Sequence, residues 1–143
     1  MPFPSSDYPT RLQLRIDWSE LDLFGHVNNV TYFKYMQAAR VGYWESVGLW
    51  QHHKDTKTGP MLASATCDFR QPLFFPGNIT VYSKVEFMRN TSFGMAHVII
   101  NEEGAVCAEG KDVMVMFDFN ANAKMRIPQI FREAIESREG RSF

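Results

Sequence analysis

Five stretches of the chain have the hydrophobic pattern of β-strands. In Thr10 to Trp18, leucine and isoleucine alternate with polar or charged residues, which is typical of a strand with one buried face. Four more stretches follow later in the sequence: Met61 to Leu73, Ile79 to Arg89, Ser92 to Asn101 and Ala105 to Phe119. Residues 90–91 and 102–104 are short enough to form hairpins, so the strands they connect are expected to be antiparallel.

The hydrophobic period changes between the first of these strands and the second. From Val30 to Trp50, apolar positions recur every three or four residues, as on one face of an amphipathic helix. This face comprises Phe33, Met36, Ala39 or Arg40, Tyr43 and Val47. Gly48 stands where a glycine commonly ends a helix, and the polar residues 51–60 are interpreted as a loop. The pattern predicts one long helix.

A long helix preceded by one strand and followed by four antiparallel strands is typical of the α+β class. Because this helix is unusually apolar, we expect the sheet to wrap around it. Residues 1–8 are polar and proline-rich and are predicted to be a loose lead-in, and a short C-terminal helix is expected over residues 128–137. No repeat or linker divides the sequence, so residues 1–143 are predicted to form a single domain.

The composition is that of an ordinary globular protein. Of the 143 residues, 45% are hydrophobic and 22% are charged, and the formal net charge is −1, which argues against a nucleic-acid or anionic-membrane partner. No apolar run approaches the roughly 20 residues that span a bilayer, and the N-terminus lacks signal-peptide features, so a cytoplasmic location is expected. The two cysteines, Cys67 and Cys107, are predicted to be buried reduced thiols.

The candidate chemistry is concentrated in Asp22 to Asn29, immediately before the long helix. Gly25 lets the backbone turn, and Asn28 or Asn29 is a suitable helix N-cap. A reacting carbonyl at that helix start would meet unpaired N–H groups and the positive end of the helix dipole. The carboxylate of Asp22, held opposite, would supply a base or a nucleophile.

Each of these residues also has a purely structural interpretation. Asp22 is of the residue type that commonly caps a turn, and His26 either joins the chemistry or holds the loop. Glu20 is interpreted as a solvated loop charge, and His97 as a core or interface histidine with satisfied hydrogen bonds. No serine lies in a nucleophile-elbow context, so a Ser/His/Asp triad is not expected. Metal binding by His52, His53 and Asp55 is not favoured, because no further ligand-spaced residue lies nearby.

The run Asp22-x-x-Gly25-His26-Val27-Asn28-Asn29-x-x-Tyr32 resembles the hotdog-fold acyl thioesterases, in particular their 4-hydroxybenzoyl-CoA thioesterase-like branch. Further similar segments are Asp68 to Leu73, Asn90 to Phe93, Ala108 to Gly110 and Ile127-Pro128. The resemblance implies one long central helix wrapped by a five-stranded antiparallel sheet. It also implies a homodimer or homotetramer with active sites at subunit interfaces.

The resemblance further implies hydrolysis of an acyl-CoA thioester without a metal or other cofactor. Asp22 would be the catalytic carboxylate, the backbone N–H of Asn29 would polarise the carbonyl, and His26 and Asn28 would assist. Candidate substrate-binding residues are Gly25, Asn28, Tyr32, Ser92, Arg70 and Arg89. Phe24 occupies the position at which acyl-carrier-protein thioesterases and hotdog hydratases have asparagine. An acyl-carrier-protein substrate and a hydratase activity are therefore disfavoured. The alternatives are a non-catalytic acyl-thioester binding protein and an interaction module.

Overall fold

Five long strands pair into one antiparallel sheet in the computed structural model, which describes residues 3–143. They are β1 (Thr10–Arg15), β2 (Thr58–Phe69), β3 (Asn78–Met88), β4 (Ser92–Ile100) and β5 (Val106–Asp118). The order in the sheet is β1-β3-β4-β5-β2, and a short strand β6 (Ala123–Lys124) pairs with β5. The five predicted strands and both predicted hairpins are therefore confirmed, and β1 and β2 lie at the two edges of the sheet.

The long helix α1 (Asn29–Ser46) packs against the inner face of this sheet. Its buried residues are Thr31, Tyr32, Tyr35, Met36, Ala39, Arg40 and Tyr43. The side chain of Met36 packs directly against Gly110 in β5. Any residue other than glycine at position 110 would overlap the Met36 sulfur. A single helix wrapped by an antiparallel sheet confirms the α+β, hotdog architecture. No helix within residues 3–143 combines the length and the apolar character needed to cross a membrane.

The predicted helix from Val30 to Trp50 is in fact two helices. Gly48 adopts a left-handed conformation, with φ of +75°, and separates α1 from a second helix, α2 (Leu49–Thr56). The prediction of a loop over residues 51–60 is therefore wrong, because the chain stays helical as far as Thr56 and β2 starts at Thr58. The rings of His52 and His53 lie 3.1 Å from Thr58 Oγ1 and Thr58 O respectively, and so fix the turn between α2 and β2.

The predicted apolar face of α1 is confirmed at Met36, Ala39, Arg40 and Tyr43, which are buried, but not at Phe33. Phe33, Val30 and Val41 are exposed, with Phe33 at 36% and Val30 at 68%. The sheet covers only one side of the helix, so apolar residues on the side that faces β2 remain uncovered. Both cysteines are free thiols, as predicted; Cys107 is buried and Cys67 is half-buried.

The two termini pack more closely than the sequence indicates. In the predicted lead-in, Met1 and Pro2 lie outside the described residues, but the aromatic rings of Phe3 and Tyr8 pack against Tyr82 on β3. The C-terminal helix α3 (Gln129–Glu139) is confirmed and extends two residues beyond its predicted end. It buries Phe131 and Ile135 at the end of the sheet opposite the candidate loop.

Candidate active site

The loop between Leu21 and Val27 folds into a tight turn that Asp22 stabilises. Leu21 and Val27 form an antiparallel bridge, and Asp22 Oδ1 accepts hydrogen bonds from Phe24 N at 2.9 Å and His26 N at 3.2 Å. Gly25 has a φ of +83°, which a glycine adopts without strain. Asp22 therefore does cap a turn. Within residues 3–143, its second oxygen, Oδ2, accepts no hydrogen bond, so the half-buried carboxylate has one oxygen without a partner.

Glu20 anchors this loop to α1 and is not the solvated charge that the sequence predicts. Its side chain is only 11% exposed, and Oε1 accepts hydrogen bonds from Tyr35 Oη at 2.7 Å and Asp17 N at 2.8 Å. Its backbone carbonyl accepts from Asn28 N at 2.8 Å. Burial and the bond to Glu20 raise the pKa of Tyr35, so this hydroxyl stays a donor at neutral pH. Polar backbone and side-chain groups thus fix where the helix begins.

His26 contributes to the loop mainly through its backbone. Its imidazole packs edge-to-face on Phe74, with 5.0 Å between the ring centroids, and the two residues also form an antiparallel bridge. The backbone N–H of His26 donates a hydrogen bond to the Asp22 carboxylate, whereas its imidazole does not. This arrangement supports a role for His26 in holding the loop. A direct role in the chemistry stays a prediction.

The helix start presents an unpaired donor beside the turn. Asn28 is the N-cap of α1: its Oδ1 accepts from Val30 N at 3.1 Å, and its carbonyl accepts from Thr31 N at 2.9 Å. The N–H of Asn29 makes no hydrogen bond within residues 3–143. An N–H group at the positive end of an 18-residue helix is a suitable partner for a carbonyl that develops negative charge.

The Asn28 cap is expected to contribute to the stability of the fold. Asn28→Ala is expected to lower the free energy of unfolding by about 1 kcal/mol, because the N–H of Val30 loses its acceptor. Asn28→Asp keeps an acceptor oxygen and is expected to remain close to wild type. Urea unfolding of the three proteins measures both effects, and equal stability of the alanine variant and wild type would show that the cap contributes nothing.

The other predicted site residues are divided between the two ends of the sheet. Tyr32 is buried below the helix start, its hydroxyl lies 3.4 Å from the Gln71 carbonyl, and burial raises its pKa to about 12. Arg70 follows β2 on the same side of the molecule as the loop, but its guanidinium is exposed and pairs with Glu109 at 2.8 Å. Neither contacts Asp22.

Ser92 and Arg89 lie at the other end of the sheet. The strand β3 begins at Asn78, which pairs with Arg15 just before the loop, and its 11 residues span about 35 Å in extended conformation. Arg89 and Ser92 lie beyond its far end. The structure therefore does not bring them to Asp22 within one chain, and their predicted role in binding substrate would require a site shared between two copies.

A chain of polar side chains that the sequence did not reveal crosses the centre of the core. Arg40 Nη1 donates to Asp112 Oδ2 at 2.8 Å, His97 Nε2 donates to the same oxygen at 2.5 Å, and Ser83 Oγ lies 2.7 Å from His97 Nδ1. His97 is thus a core histidine with satisfied hydrogen bonds, as predicted. Burial by itself raises the pKa of Asp112, but the hydrogen bonds and charges of His97 and Arg40 outweigh it and hold this pKa below its usual value.

These residues include a serine, a histidine and an aspartate, yet they are not a nucleophilic triad. Ser83 is completely buried, so its hydroxyl is out of reach of a substrate carbonyl. The one sequence signal for this cluster is positional: Arg40 falls on the apolar helix face, and His97 occupies an inward position between Met95 and Ile99.

A groove runs between α1 and the edge strand β2. A cavity of about 280 Å³ in this groove, called here the α1–β2 cavity, starts at Val30 beside the helix start. Its lining includes Val30, Phe33, Met36, Arg40, Leu62 and Asp112. A second cavity of about 370 Å³ lies further along α1, between Trp44, Leu49 and Pro60. Neither of these two cavities is lined by Asp22 or Asn29, but Val30, which follows Asn29 in the helix, lines the mostly apolar α1–β2 cavity.

Comparison with known proteins shows the family to which this chain belongs. A family model described as the thioesterase-like superfamily matches residues 16–135. The chain belongs to this superfamily. It is 31% identical over 103 residues to protein YsmA of Bacillus subtilis (strain 168), covering 72% of this chain and 69% of YsmA. It is 23% identical over 125 residues to the long-chain acyl-CoA thioesterase FadM of Escherichia coli (strain K12), covering 87% of this chain and 95% of FadM.

The solved structures agree with this assignment. A thioesterase from Thermus thermophilus, crystallised with coenzyme A and Zn, superimposes with a TM-score of 0.85, at 24% identity, over 96% of this chain and 98% of that one. The thioesterase fold is therefore shown. The family match identifies this protein as a thioester hydrolase.

Proposed function

We propose that this thioesterase hydrolyses acyl-CoA, with Asp22 as the catalytic carboxylate and the Asn29 N–H as the oxyanion donor. The observation that carries the proposal is that the Asn29 N–H has no partner within residues 3–143 and that one oxygen of the Asp22 carboxylate, seven residues earlier, is uncommitted, in a chain of the thioesterase-like superfamily. The names of two similar proteins support the substrate class, since one acts on long-chain acyl-CoA and the other was crystallised with coenzyme A.

In the general-base mechanism, Asp22 takes a proton from water as the water oxygen attacks the thioester carbonyl. The negative charge that develops on the carbonyl oxygen is stabilised by the Asn29 N–H. One such donor contributes about 10²–10³ in turnover. When the intermediate collapses, the C–S bond breaks and the thiolate of coenzyme A takes the proton from Asp22. The products are a free acid and the thiol, and Asp22 returns to its ionised form.

Asp22 would act instead as a nucleophile if its oxygen attacked the carbonyl and formed a mixed anhydride that water then hydrolyses. A single turnover in water labelled with oxygen-18 identifies the nucleophilic role when water attacks the Asp22 side of the anhydride, whereas attack on the acyl side labels the acid as a general base does. A general base places the label in the acid at once. Attack of water on the Asp22 side of an anhydride transfers an unlabelled oxygen from Asp22 to the acid.

The activity is tested by free-thiol release from a panel of short, long and aromatic acyl-CoA substrates. Turnover of at least one member of the panel is expected. Tight binding of acyl-CoA without any turnover would support the alternative, a non-catalytic acyl-thioester binding protein. An absence of binding as well would point to an interaction module.

We also propose that the protein is a homo-oligomer that pairs through β2. This 12-residue strand is at the sheet edge, and Met61, Leu62 and Phe69 on it are between 45% and 48% exposed. The exposed Val30 and Phe33 of α1 extend the same apolar surface across the α1–β2 cavity. A long apolar edge strand pairs readily with another strand.

Light scattering is therefore expected to give a mass of at least 33 kDa, twice the 16.5 kDa of one chain. Leu62→Lys places a charge on the edge and is expected to yield a monomer, because natural edge strands use lysine to prevent pairing. Ile130→Lys, at an exposed isoleucine on α3, is the matched control and is expected to stay oligomeric. A monomeric mass for the wild type would contradict the proposal.

A further inference from the structure

The tip of the Asp22 loop exposes two adjacent apolar side chains. Leu23 is 93% exposed and Phe24 is 80% exposed, while the hydrogen bond from Phe24 N to Asp22 Oδ1 holds the backbone of the tip in place. Phe74, which packs against His26 of the same loop, is also exposed and enlarges this apolar surface. Clustered apolar side chains that a single chain leaves uncovered commonly mark a contact with another molecule.

An apolar cavity of about 370 Å³ lies near the other end of α1 and is called here the Trp44–Phe119 cavity. Its lining includes Val41, Trp44, Leu49, Trp50 and Phe119. Leu49 is buried and forms an apolar floor, whereas Val41, Trp50 and Phe119 are exposed, so the cavity is open to the surface. It is therefore accessible to apolar side chains of another molecule.

The Asp22 loop and the Trp44–Phe119 cavity lie at opposite ends of β2. At the start of α1, the ring of Tyr32 packs edge-to-face on Phe69, the last residue of β2, with 5.0 Å between the ring centroids. Beyond the end of α1, the ring of His53 lies 3.1 Å from the carbonyl of Thr58, the first residue of β2. The helix and the edge strand therefore run in opposite directions.

Pairing of β2 with the same strand of a second copy, as proposed above, brings these two ends together. A two-fold axis perpendicular to the sheet pairs the strands antiparallel and keeps both copies of α1 on the same face. Full overlap of the strands places the axis near the α1–β2 cavity, because Gln37 near the middle of α1 and Leu62 and Ala65 on either side of the middle of β2 line that cavity together. The loop of one copy then lies beside the partner's Trp44–Phe119 cavity.

We propose that Leu23 and Phe24 of one copy dock into the Trp44–Phe119 cavity of its partner, so that the second subunit covers the loop that carries Asp22. The inference rests on the proposed homo-oligomer and on the proposed role of Asp22, and it names the contact that links them. Docking removes two exposed apolar side chains and an open apolar cavity from water at the same time. By two-fold symmetry the contact forms twice in each dimer.

Cross-linking between cysteines tests the contact directly and requires no substrate. Phe24→Cys and Trp50→Cys are combined in one chain, and Cys67→Ser in every variant removes the half-buried native thiol. A short bismaleimide is expected to join two chains, which denaturing electrophoresis detects as a product of twice the mass. The two cysteines of one chain cannot react with each other, because the 18 residues of α1 between them span about 27 Å.

Each single cysteine variant is a matched control for this experiment. Two loops, or two cavities, lie at opposite ends of the proposed dimer, so neither Phe24→Cys nor Trp50→Cys alone is expected to give a cross-linked product. A double variant that remains oligomeric and gives no more product than the single variants would overturn the docking.

Phe24→Lys tests whether the docked side chain stabilises the oligomer. Phe24 is 80% exposed in one chain, so its replacement is expected to leave the fold of that chain unchanged. The dissociation constant of the oligomer is expected to rise about tenfold or more, because aromatic side chains that fill a pocket often dominate an interface. Ile130→Lys on α3 is again the control, and sedimentation over a range of concentrations measures all three proteins. Equal dissociation constants for Phe24→Lys and wild type would overturn the docking.

Failure of the docking is distinguishable from failure of the two proposals on which it rests. A cross-linked protein that hydrolyses no thioester would retain the docking and overturn the proposed activity. A monomeric wild type would overturn both the oligomer and the docking. An oligomer that forms no cross-link, and in which Trp50→Ala weakens the binding of dodecanoyl-CoA without changing the mass, would assign the cavity to the acyl chain and overturn the docking.

Discussion

Replacing Asp22 by asparagine is expected to lower kcat for acyl-CoA hydrolysis by about 10²–10⁴-fold, the contribution of a positioned acid or base. The substitution removes the charge and keeps the shape. An asparagine side-chain oxygen can still accept the hydrogen bonds from Phe24 N and His26 N, and asparagine is common in such turns. The affinity for substrate is therefore expected to change little. Free-thiol release across substrate concentrations, with kcat and KM determined separately, measures both.

Asp17→Asn is the matched control for this prediction. Asp17 lies five residues earlier, is exposed, and accepts a hydrogen bond from Ser19 N at 3.0 Å, so the same charge is lost next to the same loop. Turnover of this variant is expected to remain close to wild type. Retained turnover in Asp22→Asn would remove Asp22 from the chemistry. Equal losses in the two variants would show that the effect follows from net charge near the loop and not from the Asp22 carboxylate itself.

The parts of the fold that depend on local sequence could be predicted. The strands follow from their hydrophobic pattern, and the start of α1 follows from a capping asparagine before a helical period. The helix α2 could not be predicted in this way. It has eight residues, only Leu49 is buried, and a period of 3.6 residues is not recognisable over so short a stretch. Gly48 does follow the end of a helix, as predicted, but the sequence does not show that a new helix starts immediately after it.

The same distinction applies to the site. The turn at Asp22 and the N–H of Asn29 lie within one continuous segment, so residue types and spacing predict the turn and the helix start, while their catalytic role comes from the resemblance and stays a proposal. The polar chain of the core depends on strand register instead. Ser83 and His97 are 14 residues apart, His97 and Asp112 are 15 apart, and Arg40 and Asp112 are 72 apart. Only the pairing of β3, β4 and β5 and the docking of α1 bring these residues together.

The buried ion pair in this chain gives the largest expected effect on stability. Asp112→Ala is expected to lower the free energy of unfolding by about 3–5 kcal/mol, because it leaves the charge of Arg40 uncompensated in the core. The Arg70–Glu109 pair is the matched control, since both pairs have N···O distances of 2.8 Å and differ in burial. Glu109→Ala is expected to cost at most about 1 kcal/mol, because its partner remains hydrated. Urea unfolding at neutral pH compares the two variants, and similar losses would contradict the prediction.

The effect of Asp112 should also depend on pH in a defined direction. The pKa of this carboxyl in the folded protein is below its usual value, so the unfolded state binds the proton more readily. The stabilisation is complete well above the unfolded pKa of about 3.9 and is lost as the pH falls through the lower folded pKa. The stability difference between wild type and Asp112→Ala is therefore expected to be constant near neutral pH and to shrink in acid. A difference that grows as the pH falls below about 4 would show that Asp112 is protonated in the folded core, with its burial outweighing Arg40 and His97.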